Sequence, residues 1–310
     1  MLPWKKENSM NTFEILERKR RIVKIGKIVS IAVIIAAIGS VFWSILWAIG
    51  LALVGFVLAL FTERCLTKPY IRAYKEQLVK DILSETIDDL TYNPIGGIKR
   101  DTIDSVGMMS IGNVYIVNDL IEGSYKGVRF SQSDIQIEQT YSDYNFSINP
   151  RNSHKTTNIP YLRGRWFVFD FPHKFNCNLQ VRDRSFEHAK RPGGWLYSRI
   201  KSEKIKVKSE AFDRTFEVYA TDESQALKFL TQGFMKAMLR AKKDSYGEVL
   251  FCFVGKKLHV AVNDKRDNFE PPVWSPIDRE AARQSIEDDR DFITDLIDTL
   301  NLDERMIVEE

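Results

Sequence analysis

Cysteine and histidine are scarce in this chain, which has three cysteines and four histidines among 310 residues. The cysteines have no regular spacing, so the sequence predicts neither a disulfide framework nor a zinc site. The phosphate-binding, dinucleotide-binding and H-E-x-x-H zinc motifs are absent, as is the G-x-S-x-G turn of serine hydrolases. A net charge of only +3 gives no overall basic field, so nucleic acid is not an expected partner. We therefore predict no metal, no cofactor and no catalytic residue.

The most distinctive feature that is present is an apolar run, residues 28–62, that contains no charge over 35 positions. As a single helix it would be about 50 Å long, against about 30 Å for the hydrocarbon core of a bilayer. Two spans fit if the first also uses residues 22–27, whose lysines can extend to the membrane surface. Gly39-Ser40 offers a turn near the middle. We predict a transmembrane hairpin over residues 22–62, with helices over 22–38 and 42–61.

Basic residues flank both ends of this hairpin, whereas its central turn has no charge. Residues 1–27 hold eight Lys or Arg against three Glu, and four more basic residues follow the run between Arg64 and Lys75. Lysine and arginine are enriched on the cytoplasmic side of membrane proteins. We therefore expect a multi-pass protein of the inner (plasma) membrane, with a basic cytoplasmic segment over 1–21 and both termini in the cytoplasm. The alternative is one span plus an interfacial helix, which would place the large domain outside.

The residues after the hairpin follow a helical period. Apolar residues recur in steps of mostly three and four from Ile71 to Leu90, which predicts a juxtamembrane amphipathic helix over 63–91. It is expected to end before Tyr92-Asn93-Pro94, because the residue before proline avoids the helical region.

From residue 92 onward, short β-branched and aromatic stretches indicate strands. A helical stretch follows Thr221 and Asp222, either of which suits an N-cap. Two apolar runs around Gly255 then predict a hairpin, and an acidic helix is expected over 285–302. This order predicts an α+β domain over residues 92–303, with a mixed, largely antiparallel sheet and flanking helices, before an acidic tail at 304–310. The polar stretch 149–160 is expected to be a loop.

The stretch RWFVFDF, residues 165–171, predicts a strand in the middle of the sheet. Alternation puts Trp166 and Val168 on one face and Arg165, Phe167 and Phe169 on the other. Large apolar side chains on both faces indicate a strand that is covered on both sides.

Several motifs resemble a bacterial family of two-span membrane proteins that carries the label domain of unknown function 3137 (DUF3137). They are YLRGRWFVFDF, FDRTFEVYATDESQALKFLTQGFMKAML, and LFCFVGKKLHVAV leading to NFEP. The similarity extends over roughly residues 68–302. Gln232 stands where the family usually has a proline at the start of its second helix. The resemblance implies the same architecture and a cytoplasmic domain, and it brings no catalytic residue.

The predicted function is a membrane-anchored, non-enzymatic binding or scaffold module at the inner membrane face. Its expected partners are the lipid bilayer and a protein at the cytoplasmic membrane face, with the oligomeric state left open. Alternating lysines after residue 203 predict one basic face of an edge strand, which either guards the edge or contacts an anionic membrane or a partner. These lysines are Lys204, Lys206 and Lys208.

The alternative function is a membrane-bound, hydrolase-like enzyme whose site is assembled from residues distant in sequence. Its first candidates are Asp170, His173 and Asp222. A cavity that holds several of these groups together would favour this alternative.

Overall fold

The computed structural model describes residues 3–144, 154–171, 174–186, 202–267 and 269–300. The chain divides into two compact units. The helical unit comprises residues 1–85 and 269–288, and the α+β unit comprises residues 86–268 and 289–310. The domain predicted over 92–303 is therefore interrupted by a segment that belongs with the helices.

The helical unit is built on two long antiparallel helices. α1 runs from Pro3 to Ser40 and α2 from Ile45 to Phe61, and a short turn joins them. Both helices of the predicted hairpin are thus present. α1 has 38 residues, and it continues upstream of the apolar run through the basic segment.

The helix after α2 continues without a break to Leu83, but two of its turns are π-helical. The π turns cover Thr62–Thr67 and Lys75–Val79, and they alternate with α3 (Lys68–Tyr74) and α4 (Lys80–Leu83). Pro69 explains the first π turn, because proline has no N–H for the usual bond to the fourth preceding carbonyl. The helix widens just before that position.

The predicted juxtamembrane helix over 63–91 is wrong in its last part. The helix ends at Leu83, and strand β1 runs from Asp88 to Asn93. Ile87 and Leu90 continue the helical spacing by coincidence, whereas β1 is held by antiparallel pairing with the next strand. Asp89 takes a positive φ of 51° where the register of that pairing shifts.

The α+β unit contains a sheet of nine strands within the described residues, in the order β1-β2-β3-β4-β9-β8-β5-β7-β6. Each pairing between these described strands is antiparallel, so the predicted α+β class is confirmed. The strands after β1 are β2 (Val114–Tyr125), β3 (Val128–Tyr144), β4 (His154–Asp170), β5 (Leu179–Asp183), β6 (Glu203–Ile205), β7 (Phe216–Ala220), β8 (Glu248–Val254) and β9 (Lys257–Asn263).

The loop predicted over 149–160 is wrong where the structure describes it. Residues 154–160 belong to β4 and pair with β3 as far as Tyr144. Their described side chains are mostly exposed, so the backbone ladder and not an apolar face defines this part of the strand. Residues 149–153 lie outside the described residues.

The prediction that residues 165–170 form a central strand is confirmed, because β4 pairs with β3 on one side and β9 on the other. Trp166 and Val168 belong to a core cluster with residues 98–111. On the opposite face, the Phe167 ring lies 5.5 Å from that of Phe292 in the last helix. The sheet is therefore covered on both faces at β4.

Five further helices complete the described chain. Of the two predicted N-caps, Thr221 and Asp222, it is Asp222 that caps the helix, because its carboxylate accepts a hydrogen bond from the backbone N–H of Gln225 at 3.0 Å. The predicted start of the last helix at 285 is six residues late, and the acidic tail 304–310 lies outside the described residues. These helices are α5 (Arg100–Asp104), α6 (Glu210–Thr215), α7 (Glu223–Phe229), α8 (Gln232–Asp244) and α9 (Arg279–Thr299).

Candidate functional site

Close packing of α1 against α2 depends on two glycines. A Cβ added at Gly55 would lie 2.8 Å from Ile34 Cγ1, and one at Gly26 would lie 3.0 Å from Thr62. At Gly50, by contrast, an added Cβ would meet no described heavy atom within 4 Å. Gly55 therefore lies in the contact between the helices, and Gly50 lies on their outer surface.

The outer surface of this hairpin is apolar and exposed. The Phe42 and Trp43 side chains at the turn are 94% and 95% exposed. Both helical runs, Thr12–Ser40 and Ile45–Leu83, are long and apolar enough to cross a membrane. Exposed apolar patches of this extent mark a surface that another apolar phase or a partner covers.

Residues 269–288, here called the strap, pack on the base of these helices through main-chain carbonyl oxygens and through ion pairs such as Lys75 with Glu270 at 2.6 Å. Arg20 Nη1 donates to the carbonyl of Val273 at 3.0 Å. The hydroxyl of Tyr70 donates to the carbonyl of Pro272 at 2.7 Å. Arg20 and Tyr70 are only 4% and 0% exposed, so water is largely excluded from these bonds.

A cleft of about 550 Å³ lies between α1 and the strap. Glu17 organises it, because its carboxylate accepts hydrogen bonds from Arg20 at 2.6 and 2.7 Å and from the backbone N–H of Ile277 at 3.2 Å. We call this the arginine cleft, and its lining residues are Phe13, Glu14, Glu17, Arg18, Arg21, Ile277 and Arg279.

In the α+β unit, Asp170 lies at the end of β4 and lines a cavity of about 340 Å³. Its carboxylate pairs with Lys257 Nζ at 3.0 Å, and both side chains are about half exposed. Glu122, Arg129 and other polar residues of the neighbouring strands also line the cavity. It is an open polar surface in which acidic and basic groups face each other.

The other two candidate catalytic residues add no described side chain to the lining of that cavity. The Asp222 carboxylate is engaged as the N-cap of α7, and Asp222 is not among the described residues that line the cavity. His173 lies outside the described residues. The structure therefore does not assemble the three candidates into one described site.

Of the three lysines predicted for an edge strand, Lys204 lies in the edge strand β6, whereas Lys206 and Lys208 lie after its end. β6 is the last strand of the sheet order, paired only with β7 among the described strands. Lys204, Lys206 and Lys208 are exposed, whereas Ile205 and Val207 between them are buried. Lys204 Nζ also contacts Glu217 Oε1 at 2.9 Å, and Lys206 and Lys208 follow the end of the strand.

The sequence analysis missed a buried ion-pair cluster around Arg165. Arg165 Nη2 lies 2.9 Å from Asp264 Oδ2, and Nη1 lies 3.3 Å from Asp289 Oδ1. The guanidinium also stacks over Phe292 at 4.4 Å. The sequence signal that could have revealed the cluster is an arginine, Arg165, inside an otherwise apolar strand. Since buried charges require partners, this cluster fixes α9 on β4 and is a structural feature.

Burial also controls the protonation of a histidine and a cysteine that face each other across β8 and β9. Burial lowers the pKa of His259 to about 4, with a further contribution from the nearby charge of Lys257. Burial raises the pKa of the Cys252 thiol to about 12. At neutral pH the imidazole is neutral and the thiol protonated, so this pair does not provide a thiolate nucleophile.

Comparison with solved structures finds a likeness to the crystal structure of the mycobacterial trehalose monomycolate transport factor A, TtfA. The alignment covers 73% of this chain and 97% of that chain, at 11% identity and a TM-score of 0.37. At that TM-score the likeness supports no argument about fold or function.

Comparison with curated proteins finds no match. The model of the family "Protein of unknown function (DUF3137)" matches residues 161–302. The match begins in β4 and covers most of the helices and strands that follow it. The resemblance of this chain to the DUF3137 family is thus confirmed over residues 161–302.

Proposed function

We propose that this protein is a membrane-anchored binding module. The apolar hairpin holds it in the inner membrane with both ends of the hairpin on the cytoplasmic side. The α+β unit binds a protein partner at that face, without catalysing a reaction. The observation that carries this proposal is the packed pair of helices whose outer surface exposes many large apolar side chains.

The geometry of the helical unit supports a hairpin of two spans rather than a single span. α1 and α2 are joined by a turn in which the Ser44 N–H donates to the Ser40 carbonyl at 3.0 Å. At the opposite end of the pair, Lys27 lies 3.7 Å from Glu63. Because two short-linked antiparallel helices return the chain to the side it came from, both charged ends lie on one side.

Binding is favoured over catalysis by the contacts of the candidate acids. Asp170 pairs with an exposed lysine, and Asp222 caps a helix. Both roles are explained by structure alone. The surface we assign to the partner is the exposed lysine edge after Glu203, because its basic side chains alternate with buried apolar ones and leave a regular charged row.

Protease protection of a C-terminal tag tests the anchor. We expect the tag to survive in intact spheroplasts and to be digested in inverted membrane vesicles. Digestion in intact spheroplasts would overturn the hairpin and place the α+β unit outside.

A charge-matched pair of triple variants tests the partner surface. Lys204→Gln/Lys206→Gln/Lys208→Gln is expected to abolish cross-links between the full chain and its partner in native membranes. The control replaces three other exposed lysines, Lys228, Lys236 and Lys243, with glutamine. This control is expected to keep the cross-links. Equal cross-linking by both variants would reject the lysine edge, and wild-type chain that cross-links to nothing would reject the binding module.

A further inference from the structure

We infer that the arginine cleft binds the phosphate headgroup of an anionic phospholipid at the membrane surface. The inference rests on the proposed function for one point only, which is that the hairpin lies in a bilayer. It adds a ligand and a site to the anchor.

The first support is the charge of the cleft. Three guanidinium groups line it, those of Arg18, Arg21 and Arg279, against the two carboxylates of Glu14 and Glu17. Glu17 is already engaged by Arg20, by a backbone N–H and by Arg21 Nε at 3.2 Å. Arginine is the residue best suited to phosphate, since its planar group donates two parallel hydrogen bonds to two phosphate oxygens.

The second support is the position of the cleft along α1, relative to the start of the predicted membrane span. Arg21 directly precedes Ile22, the first residue of the predicted span, and Arg18 lies four residues before it. At 1.5 Å per residue, Arg18 lies about 6 Å from the hydrocarbon boundary. The headgroup layer on each side of a bilayer is about 5 to 8 Å thick. Both arginines therefore lie at the level of lipid phosphates.

The third support is an aromatic side chain on the strap. Trp274 is 53% exposed, and its carbonyl accepts a hydrogen bond from Lys24 Nζ at 3.0 Å. Lys24 lies on α1 within the first turn of the predicted span. Exposed tryptophans at this level are typical of the membrane interface, where the ring is apolar and the indole N–H remains solvated.

The walls of the cleft suit a ligand that has both a charged and an apolar part. The Arg279 guanidinium lies 4.7 Å from the centre of the Phe13 ring, and Ile277 lines the same space. The Arg279 guanidinium thus lies against an aromatic wall of the cleft. Basic pockets beside membrane helices are a known way to bind anionic headgroups.

Native mass spectrometry of the detergent-purified full chain tests the inference. We would titrate short-chain phosphatidylglycerol, phosphatidylcholine and inorganic phosphate separately. Wild type is expected to bind phosphatidylglycerol, and Arg18→Gln is expected to weaken that binding about fivefold, which corresponds to about 1 kcal/mol per charge near a lipid surface. Arg18→Gln/Arg21→Gln/Arg279→Gln is expected to weaken it about a hundredfold.

The control variant Lys228→Gln/Lys236→Gln/Lys243→Gln loses the same number of charges and is expected to bind like wild type. Equal loss in this control, or equal affinity for phosphatidylcholine, would overturn the inference. Inorganic phosphate that binds as tightly as the lipid would show an anion site unrelated to the bilayer. Binding of an acidic protein that the arginine variants alone lose would reassign the cleft to a protein partner.

If the triple variant does not fold, the single exposed Arg18 variant still decides the question. The outcome is separable from that of the anchor, since detergent titration measures the cleft whether or not the tag is protected in spheroplasts.

Discussion

The two units place aromatic side chains of the same types in opposite environments. Phe42 and Trp43 in the helical unit are almost fully exposed, whereas Phe167 and Trp166 in the α+β unit are 0% exposed. In water, leaving such a side chain exposed forgoes about 1.5 to 3 kcal/mol of burial free energy. The α+β unit satisfies this requirement within its own sheet and helices. The helical unit does not bury these side chains within itself, so under the proposed function a surrounding apolar phase covers them.

The first and largest test of this comparison replaces one tryptophan in each unit. Trp166→Ala is expected to lower the free energy of unfolding by about 3 to 5 kcal/mol, because a close-packed ring is lost from the core. Its Nε1 also donates to His259 Nδ1 at 3.2 Å. Trp43→Ala is expected to change the free energy of unfolding by less than about 0.5 kcal/mol. Urea unfolding of the full chain in detergent, followed by circular dichroism, gives both values. Similar losses in the two variants would contradict the comparison.

The second test uses the pH dependence of the buried histidine. His259 has a folded-state pKa of about 4, below its ordinary value of 6.5. Above pH 6.5 neither state binds the proton, and the stability is complete. As the pH falls from 6.5 to 4, the unfolded chain takes up a proton that the folded chain does not, which lowers the free energy of unfolding by about 3 kcal/mol.

The matched variant is His259→Gln, whose amide oxygen still accepts the bond from Trp166. Its stability is expected to vary less between pH 6.5 and 4 than that of the wild type. Identical pH profiles for the two chains would mean that His259 is not buried in its neutral form.

The third test sharpens the comparison within the helical unit. Gly55→Val is expected to destabilise the hairpin by about 1 to 3 kcal/mol, because the new side chain overlaps Ile34. Gly50→Val adds the same atoms on the outer surface and is expected to have little effect. Thermal denaturation of both variants in one detergent measures the difference. A larger loss for Gly50→Val would place the helix contact on the wrong face of α2.

The smallest test compares two acids of the α+β unit. Asp222→Ala is expected to lower stability by about 1 kcal/mol, because it removes the side-chain cap of α7. Asp170→Ala is expected to cost less than about 0.5 kcal/mol, since its ion pair with Lys257 is half exposed. Chemical denaturation of both variants at pH 7 decides the order. A larger effect of Asp170 would give that carboxylate a role beyond its surface pair.

Much of the α+β unit could be predicted because its elements carry their own local pattern. Apolar residues on both faces of 165–170 identified a central strand, and the pair Thr221-Asp222 identified a helix start. The sequence was misleading at Ile87 and Leu90, whose spacing of three suits a helix. There, pairing with β2 decides the structure, and pairing between distant segments leaves no local signal.

The arrangement around the strap could not be predicted from residue patterns. The strap is held on the helices by the carbonyls of Pro272, Val273 and Trp274, and by ion pairs such as that of Glu270 with Lys75. Every residue has a carbonyl, so the carbonyl contacts have no residue-type signature, and the ion pair joins charged residues that are far apart in the sequence. Arg18 and Arg21 were recognised as basic residues next to a span, but the cleft needs Arg279, which lies more than 250 positions away in the sequence.

The discontinuity of both units sets an order of events during synthesis. The ribosome makes α1 and α2 early, but it makes the strap only after residues 86–268. At 5 to 20 residues per second, that interval lasts about 10 to 40 s. Throughout it, Arg20 and Tyr70 lack the carbonyls that satisfy them in the finished protein, and the sheet lacks α9. The same stretch of about 30 residues therefore completes both units, so the base of the hairpin gains its last contacts at about the time that α9 covers the sheet.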